Sequence, residues 1–183
     1  MQKLLKIATV VWVFFCAYAY AQPSIQPFDM EVTTSMLHWK NGEMLDKTIR
    51  NSLAIKKWQQ GYAEEYFYFA EMDINGDKKK EILIAGTAFP TRGRGYLLLK
   101  NSGNNWIDIA SWRGGFIFHK ESKNVKVYDI HIFEKDYGEI YYAKAKLKGI
   151  KFVSEFVTLL PRTLYDSSFY GTWQQLNSIE VAK

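Results

Sequence analysis

Hydrophobic and polar positions alternate in short runs along most of the chain, and turn-forming residues separate the runs. Alternation with a period of two is typical of β-strands that cover a core with one face. Runs of this kind cover residues 66–72, 81–89, 96–100, 106–112, 116–119, 124–134, 139–148 and 151–160. The pattern predicts a mainly β fold of the α+β class, an antiparallel sheet or sandwich of about eight short strands.

Two of these runs carry further information. Residues 66–72 are aromatic on both faces, which favours a central strand. In the run 139–148, lysines occupy every second position from Lys144 to Lys148, and the alternate positions are Ala143, Ala145 and Leu147. This predicts a strand with one face buried and the other exposed to solvent.

The spacing of apolar residues changes near the start of the domain. Leu45, Ile49 and Leu53 recur every four residues, which is the spacing of one face of an α-helix. The pattern predicts one N-terminal helix over residues 43–60, with Gly61 as its end.

The first residues have the features of a secretory signal peptide. A basic start precedes the apolar run Ile7–Tyr20, and small residues stand at the positions that a signal peptidase reads before its cut after Ala21. We expect residues 1–21 to be removed and residues 22–183 to form one periplasmic or secreted domain. An uncleaved membrane anchor is the alternative. Cleavage would also remove Cys16, the single cysteine, and with it any thiol chemistry.

Charge gives little support for a nucleic-acid partner. The chain has a net charge of +5, and cleavage would lower it by two because Lys3 and Lys6 are lost. Nucleic-acid binding needs lysines and arginines clustered on one face. After cleavage no remaining run is long enough to span a membrane.

The sharpest chemical signal is a loop of oxygen-bearing side chains. Asp73, Asn75, Asp77 and Glu81 stand at loop positions 1, 3, 5 and 9, and the backbone carbonyl of Lys79 is at position 7. A hard cation such as Ca²⁺ takes six to eight oxygen ligands. The spacing predicts a structural Ca²⁺ site of modest affinity at these five residues.

This loop, with the apolar residues that follow it, resembles the calcium loop of FG-GAP/VCBS-type repeats over about Tyr66–Phe89. The resemblance implies that the loop joins two adjacent strands. Lys78 departs from the family, which usually has glycine at position 6, and the lysines at 78–80 offset the carboxylates. An EF-hand fits poorly, because it needs glycine where Lys78 stands and glutamate where Ile84 stands. A plain Asn75–Gly76 hairpin turn is the alternative to a metal loop.

Two basic, glycine-containing loops are candidate contacts for a partner. Arg92 and Arg94 belong to one loop, and Arg113 precedes two glycines in the other. Arginine binds carboxylates and phosphates through two parallel hydrogen bonds, so these loops could contact an acidic partner if they share one end of the sheet. Ordinary turns with solvated arginines are the alternative.

Trp106 and Trp112 are candidates for a second kind of contact. Aromatic residues make up 16% of the chain, and these two tryptophans lie near turns. Exposed tryptophans stack on sugars or anchor protein partners, whereas core packing is the default for an aromatic residue in a strand.

The chain lacks the common signatures of serine nucleophiles. His131 and Asp129 are two residues apart on one strand face, which leaves a hydrolase as one alternative. We predict a non-catalytic binding protein, for example an inhibitor or immunity protein that neutralises a secreted toxin or hydrolase. A carbohydrate- or cell-wall-binding module is the other alternative.

Overall fold

The computed structural model describes residues 32–34, 37–62, 64–89, 93–103, 105–121, 125–136 and 139–159. The predicted signal peptide at residues 1–21 and the predicted contact residue Arg92 lie outside these ranges. Within them, no helix is both long and apolar enough to cross a lipid bilayer.

The fold consists of two antiparallel five-stranded sheets, which confirms the mainly β prediction. The strands are β1 (Val32–Thr33), β2 (Lys40–Asn41), β3 (Tyr68–Met72), β4 (Glu81–Phe89), β5 (Gly93–Ser102), β6 (Asn105–Arg113), β7 (Gly115–His119), β8 (Asp129–Asp136), β9 (Glu139–Lys148) and β10 (Lys151–Leu159). Sheet I has the order β2-β3-β4-β5-β6, and sheet II has the order β1-β7-β8-β9-β10. Most neighbours in each sheet are also neighbours along the chain, so the sheets are built largely from hairpins.

The predicted N-terminal helix is present, but it covers only part of residues 43–60 and continues past Gly61, its predicted end. This segment forms a 3₁₀ turn (Gly42–Met44), a short helix α1 (Lys47–Arg50) and a longer helix α2 (Leu53–Tyr62). Polar side chains restart the helix twice. Asp46 accepts hydrogen bonds from the N–H groups of Thr48 and Ile49 at the start of α1. The Ser52 hydroxyl accepts one from Ile55 in the first turn of α2.

Sheet I is packed on both faces, because successive side chains of a strand point to opposite sides. Residues of one parity pack against the helices, and the buried residues of this cluster are Leu45, Ile55, Trp58, Phe67, Phe69, Ile82, Ile84, Leu97 and Leu99. Residues of the other parity pack against sheet II, where Leu83, Tyr96 and Leu98 meet Phe116, Phe118 and Ile130. The layers are therefore helix, sheet I and sheet II, with two hydrophobic cores.

Strand β9 has the predicted division between its faces. Ala145 is 4% exposed and belongs to the core between the sheets. Lys144 and Lys146 lie on the opposite face, where their ammonium groups form ion pairs with Glu121. The bounds of β9 also agree with the sequence prediction.

Candidate functional site

The acidic loop joins β3 to β4, as the resemblance implies, and its side chains fold it tightly. The Asp73 carboxylate accepts hydrogen bonds from the N–H groups of Gly76 (2.7 Å) and Lys78 (2.9 Å). The side-chain oxygen of Asn75 accepts from the N–H of Asp77 at 2.9 Å, and one oxygen of Asp77 accepts from the N–H of Lys79 at 2.8 Å. These bonds stabilise a short loop that is rich in Asp and Asn, because their side chains readily accept hydrogen bonds from the backbone N–H two residues further along the chain.

Glu81 closes the loop from inside. Its side chain is 1% exposed, and its two oxygens accept hydrogen bonds from the Ile74 N–H (2.9 Å) and the Asn75 side-chain amide (2.6 Å). Burial raises the pKa of the Glu81 carboxyl above its ordinary value, and the Ile74 N–H and the Lys100 ammonium oppose that rise. Glu81 is a buried acid whose charge depends on its neighbours.

Lys100, on β5, supplies the positive charge nearest to these acids. Its Nζ lies 3.1 Å from Asp77 Oδ2 and 3.9 Å from Glu81 Oε1. The hydrogen bond from the Lys79 N–H is the main reason why the pKa of Asp77 lies below its ordinary value, and Lys100 lowers this pKa further. The spacing of the loop residues does not predict Lys100, because Lys100 is 23 residues from Asp77 along the chain and only the strand register brings the two together.

The loop is also anchored to both the core and sheet II. Ile74 is fully buried in the core between the sheets, and its carbonyl accepts a hydrogen bond from Tyr128 at 2.9 Å. Gly76 has a φ of 73°, and a Cβ there would overlap Lys126. Lys78 has a φ of 65°, so it keeps the left-handed backbone for which glycine is favoured, although it is a lysine.

The carboxylates of this loop do not converge on one point. Across the described residues, no three or more His, Cys, Asp or Glu side chains are arranged to hold a metal ion. Asp73 and Glu81 are turned to backbone and amide donors, and Asp77 is turned to Lys100. The arrangement as it stands does not fit a calcium cage, and calcium binding at Asp73, Asn75, Asp77, Lys79 and Glu81 stays a prediction.

The backbones of Arg94 and Arg113 are adjacent at one end of sheet I, as the shared-end hypothesis requires. Arg113 pairs with Gly95, the residue next to Arg94. Both side chains make contacts within the protein: Arg94 donates to the Gly86 carbonyl, and the Arg113 guanidinium lies 4.9 Å from the centre of the Tyr62 ring. These contacts favour a role in holding the end of the sheet.

The two tryptophans are in different places. Trp112 is 6% exposed and stacks on Tyr96 with 5.5 Å between ring centroids, so its ring belongs to the core and is unsuited to a surface contact. Trp106 packs at the margin of the helix-side core and is partly exposed. Only Trp106 is placed where a partner could reach it.

Trp106 lines a groove of about 430 Å³ between the helices and β6. We call this the helix–strand groove. One wall consists of Thr48, Ser52, Leu53, Ala54 and Lys57, and the other of Asn105, Trp106, Ile107 and Asp108. Leu53 is 66% exposed there, an unusual position for a leucine. β6 is one of the two edge strands of sheet I and, among the described strands, pairs only with β5.

His131 has a different partner from the one the sequence suggested. Its Nδ1 shares a hydrogen bond of 2.7 Å with the Tyr142 hydroxyl, whereas Asp129 forms an ion pair of 3.1 Å with Lys144. Burial is the main cause that lowers the pKa of His131 to about 4, and Lys144 and His119 lower it further. A hydrolase based on His131 and Asp129 stays a prediction, and in this arrangement the imidazole is neutral at pH 7.

Comparisons of the chain with protein-family models, with characterised proteins and with solved structures found no match.

Proposed function

We propose that the protein is an exported, non-catalytic binding protein and that the helix–strand groove accepts an extended segment of a protein partner. The supporting observation is the combination of an edge strand with an adjoining groove that has an exposed leucine at its margin. An extended segment can add to a sheet edge through backbone hydrogen bonds, and a groove beside that edge can select its side chains.

The lining of the groove defines the chemistry of such a segment. Leu53 and Trp106 offer apolar contacts for the side chains of an extended segment, and Lys57 and Asp108 place opposite charges on the two walls. Asp108 is an exposed residue and already pairs with Lys151 at 3.3 Å. A mainly apolar segment flanked by a carboxylate that can approach Lys57 is the best match to this lining.

A secreted toxin or hydrolase that the protein neutralises is the partner class we propose. The first test is to purify the protein together with exported proteins encoded beside its gene and to measure complex formation and inhibition. We expect Leu53→Asp to weaken the complex at least tenfold, because a buried carboxylate would face an apolar partner. Met44→Asp is the matched control, since Met44 is 71% exposed and does not line the groove.

Equal effects of Leu53→Asp and Met44→Asp would contradict the proposal, because the groove would then contribute nothing specific. Circular dichroism and thermal melting of both variants show whether each remains folded. Both side chains are mostly exposed, so we expect each substitution to change the free energy of unfolding by less than about 0.5 kcal/mol.

A carbohydrate ligand is the second candidate, and the position of Trp106 favours it. Sugars stack on an aromatic ring and hydrogen-bond to surrounding polar groups, which Thr48, Ser52 and Asn105 provide in this groove. Binding of peptidoglycan or glycan fragments that is lost in Trp106→Leu but retained in Leu53→Asp would favour the carbohydrate. Glycan binding that survives the loss of Trp106 would count against it.

Export rests on residues 1–21, which lie outside the described residues. The mass of the mature protein recovered from the cell envelope or the medium tests it. Cleavage after Ala21 predicts a chain that begins at Gln22, and recovery of the whole chain in membranes would favour the uncleaved anchor.

A further inference from the structure

The carboxylates of the acidic loop have a positively charged side chain of the protein beside them. The carboxylates of Asp73, Asp77 and Glu81 have six oxygens between them, and each oxygen accepts a hydrogen bond from a donor of this chain. Five of these donors are backbone or amide N–H groups, and the sixth is the Lys100 ammonium. The loop is therefore closed by donors that belong to this chain.

Lys100 reaches this position because of strand register. Ile82 on β4 pairs with Leu99 on β5, so one step further along the antiparallel pair Glu81 lies opposite Lys100. The Lys100 side chain is 30% exposed, whereas the Glu81 side chain is 1% exposed. The Lys100 ammonium thus lies between Glu81 and the solvent, and it also contacts Asp77.

A buried carboxylate is costly unless a positive charge or several donors compensate it. In a calcium loop the metal ion provides this charge. Here an ammonium lies within 4 Å of two of the three carboxylates, and its three N–H donors can serve both. The lysines at 78–80 are exposed, so they contribute less to the compensation than Lys100 does.

We propose that the Lys100 ammonium takes the place of the divalent cation in this loop, so that the hairpin is complete without metal. In this proposal an internal ion pair replaces metal coordination in a loop that has a left-handed backbone at Lys78. This inference is independent of the helix–strand groove and of any partner that binds there.

The test compares the thermal melting of the purified protein in CaCl₂ and in EDTA. We expect the wild-type Tm to be the same within about 1 °C, and we expect calorimetric titration with CaCl₂ to show no site with a Kd below about 1 mM. Stabilisation by several degrees in CaCl₂, or a tighter site, would overturn the proposal in favour of the predicted calcium loop.

Lys100→Met removes the charge and keeps the length of the side chain. In EDTA we expect its Tm to fall by about 3–8 °C, because Glu81 stays buried without its compensating charge. The matched control is Lys40→Met, since Lys40 is also a strand lysine and pairs at 3.4 Å with Glu71, a carboxylate that is 37% exposed. A fall in the Lys40→Met control of no more than about 2 °C is expected.

Lys100→Arg separates the charge from the packing of the side chain. We expect it to retain more than half of the stability that Lys100→Met loses, because it keeps a positive charge beside Asp77 and Glu81. If Lys100→Met melts no lower than the Lys40→Met control, or if Lys100→Arg is as unstable as Lys100→Met, the internal-cation proposal is wrong.

Discussion

The neutral His131 predicts how the stability of the protein depends on pH. His131 lies on β8, beside His119 of β7 and between Tyr142 and Lys144 of β9. Burial, Lys144 and His119 hold its pKa near 4, and Asp129 opposes them only in part. The folded state therefore keeps the imidazole neutral at pH values at which the unfolded chain has already bound a proton.

The sign and the size follow from the two pKa values. The pKa of His131 is about 4 in the folded state and 6.5 in the unfolded chain, so His131 does not affect the free energy of unfolding at pH 7. As the pH falls from 6.5 to 4, the unfolded chain binds a proton that the folded state does not, and the free energy of unfolding decreases. The full shift corresponds to about 3 kcal/mol, at about 1.4 kcal/mol per pH unit. Since the ring is partly exposed and screened by solvent, we expect about 2 kcal/mol.

Urea denaturation of the wild type and of His131→Asn at pH 7.0 and pH 4.5 measures this contribution. Asparagine keeps an acceptor for the Tyr142 hydroxyl but binds no proton. Tyr142 can remain the donor, because burial raises the pKa of its hydroxyl. Between the two pH values the wild type should lose about 2 kcal/mol more than the variant, and any carboxylate that titrates in both proteins cancels in this difference.

Parallel stability curves for the two proteins would refute the reasoning. They would mean that the His131 ring protonates in the folded state as readily as in the unfolded chain, and hence that its burial does not matter. A fixed difference between the proteins at both pH values would report only the lost packing of the ring. The change with pH in the difference between the two unfolding free energies is therefore the quantity that tests the prediction.

Two further substitutions test the packing of sheet I. Tyr96→Phe should leave the protein as stable or up to about 1 kcal/mol more stable in urea, because the buried Tyr96 hydroxyl has no hydrogen-bond partner among the described residues; a loss above about 1 kcal/mol would show that the hydroxyl is satisfied. Gly86→Ala should cost about 1–3 kcal/mol of unfolding free energy, because a Cβ there would overlap the side chain of Glu64, which is 5% exposed. Gly61→Ala is its control, since no atom of the residues that the structure describes lies within 4 Å of the added Cβ, and we expect a gain of up to about 1 kcal/mol from helix propensity.

The strand content could be predicted because alternation and turn residues are local signals. Strands β4 and β9 begin and end at the predicted residues, 81–89 and 139–148. Each is bounded by polar or glycine-containing turns and carries a clear apolar face. The bounds of the helix were harder to predict, because Leu45, Ile49 and Leu53 keep a helical spacing across a break that polar caps create.

The different positions of Trp106 and Trp112 show a limit of reasoning from periodicity. The two residues are six positions apart, so in a regular strand they would share a face. A bulge in β6, between the pairs Leu98–Ala110 and Leu99–Asp108, shifts the alternation by one residue. Trp106 therefore packs toward the helices and Trp112 toward sheet II, and nothing in the local sequence predicts the bulge.

The acidic loop shows a second limit, which concerns long-range pairing. The resemblance of its residues to a calcium loop implies a connection between two adjacent strands, and the structure has this connection. The spacing of oxygen ligands contains no information about which side chain the next strand places opposite Glu81. That the nearest cation is Lys100 depends on the register of β4 against β5, which only the folded sheet sets.

The acidic loop and the helix–strand groove lie at the same end of sheet I, and Lys100 stands between them. Glu81 on β4 lies opposite Lys100 on β5, and Lys100 pairs directly with Ile107 on β6, which lines the groove. Adjacent strands are about 4.8 Å apart, so the backbones at Glu81 and Ile107 are about 10 Å from each other. The strand pairing that places Lys100 beside Glu81 thus also places the Lys100 backbone next to one wall of the groove.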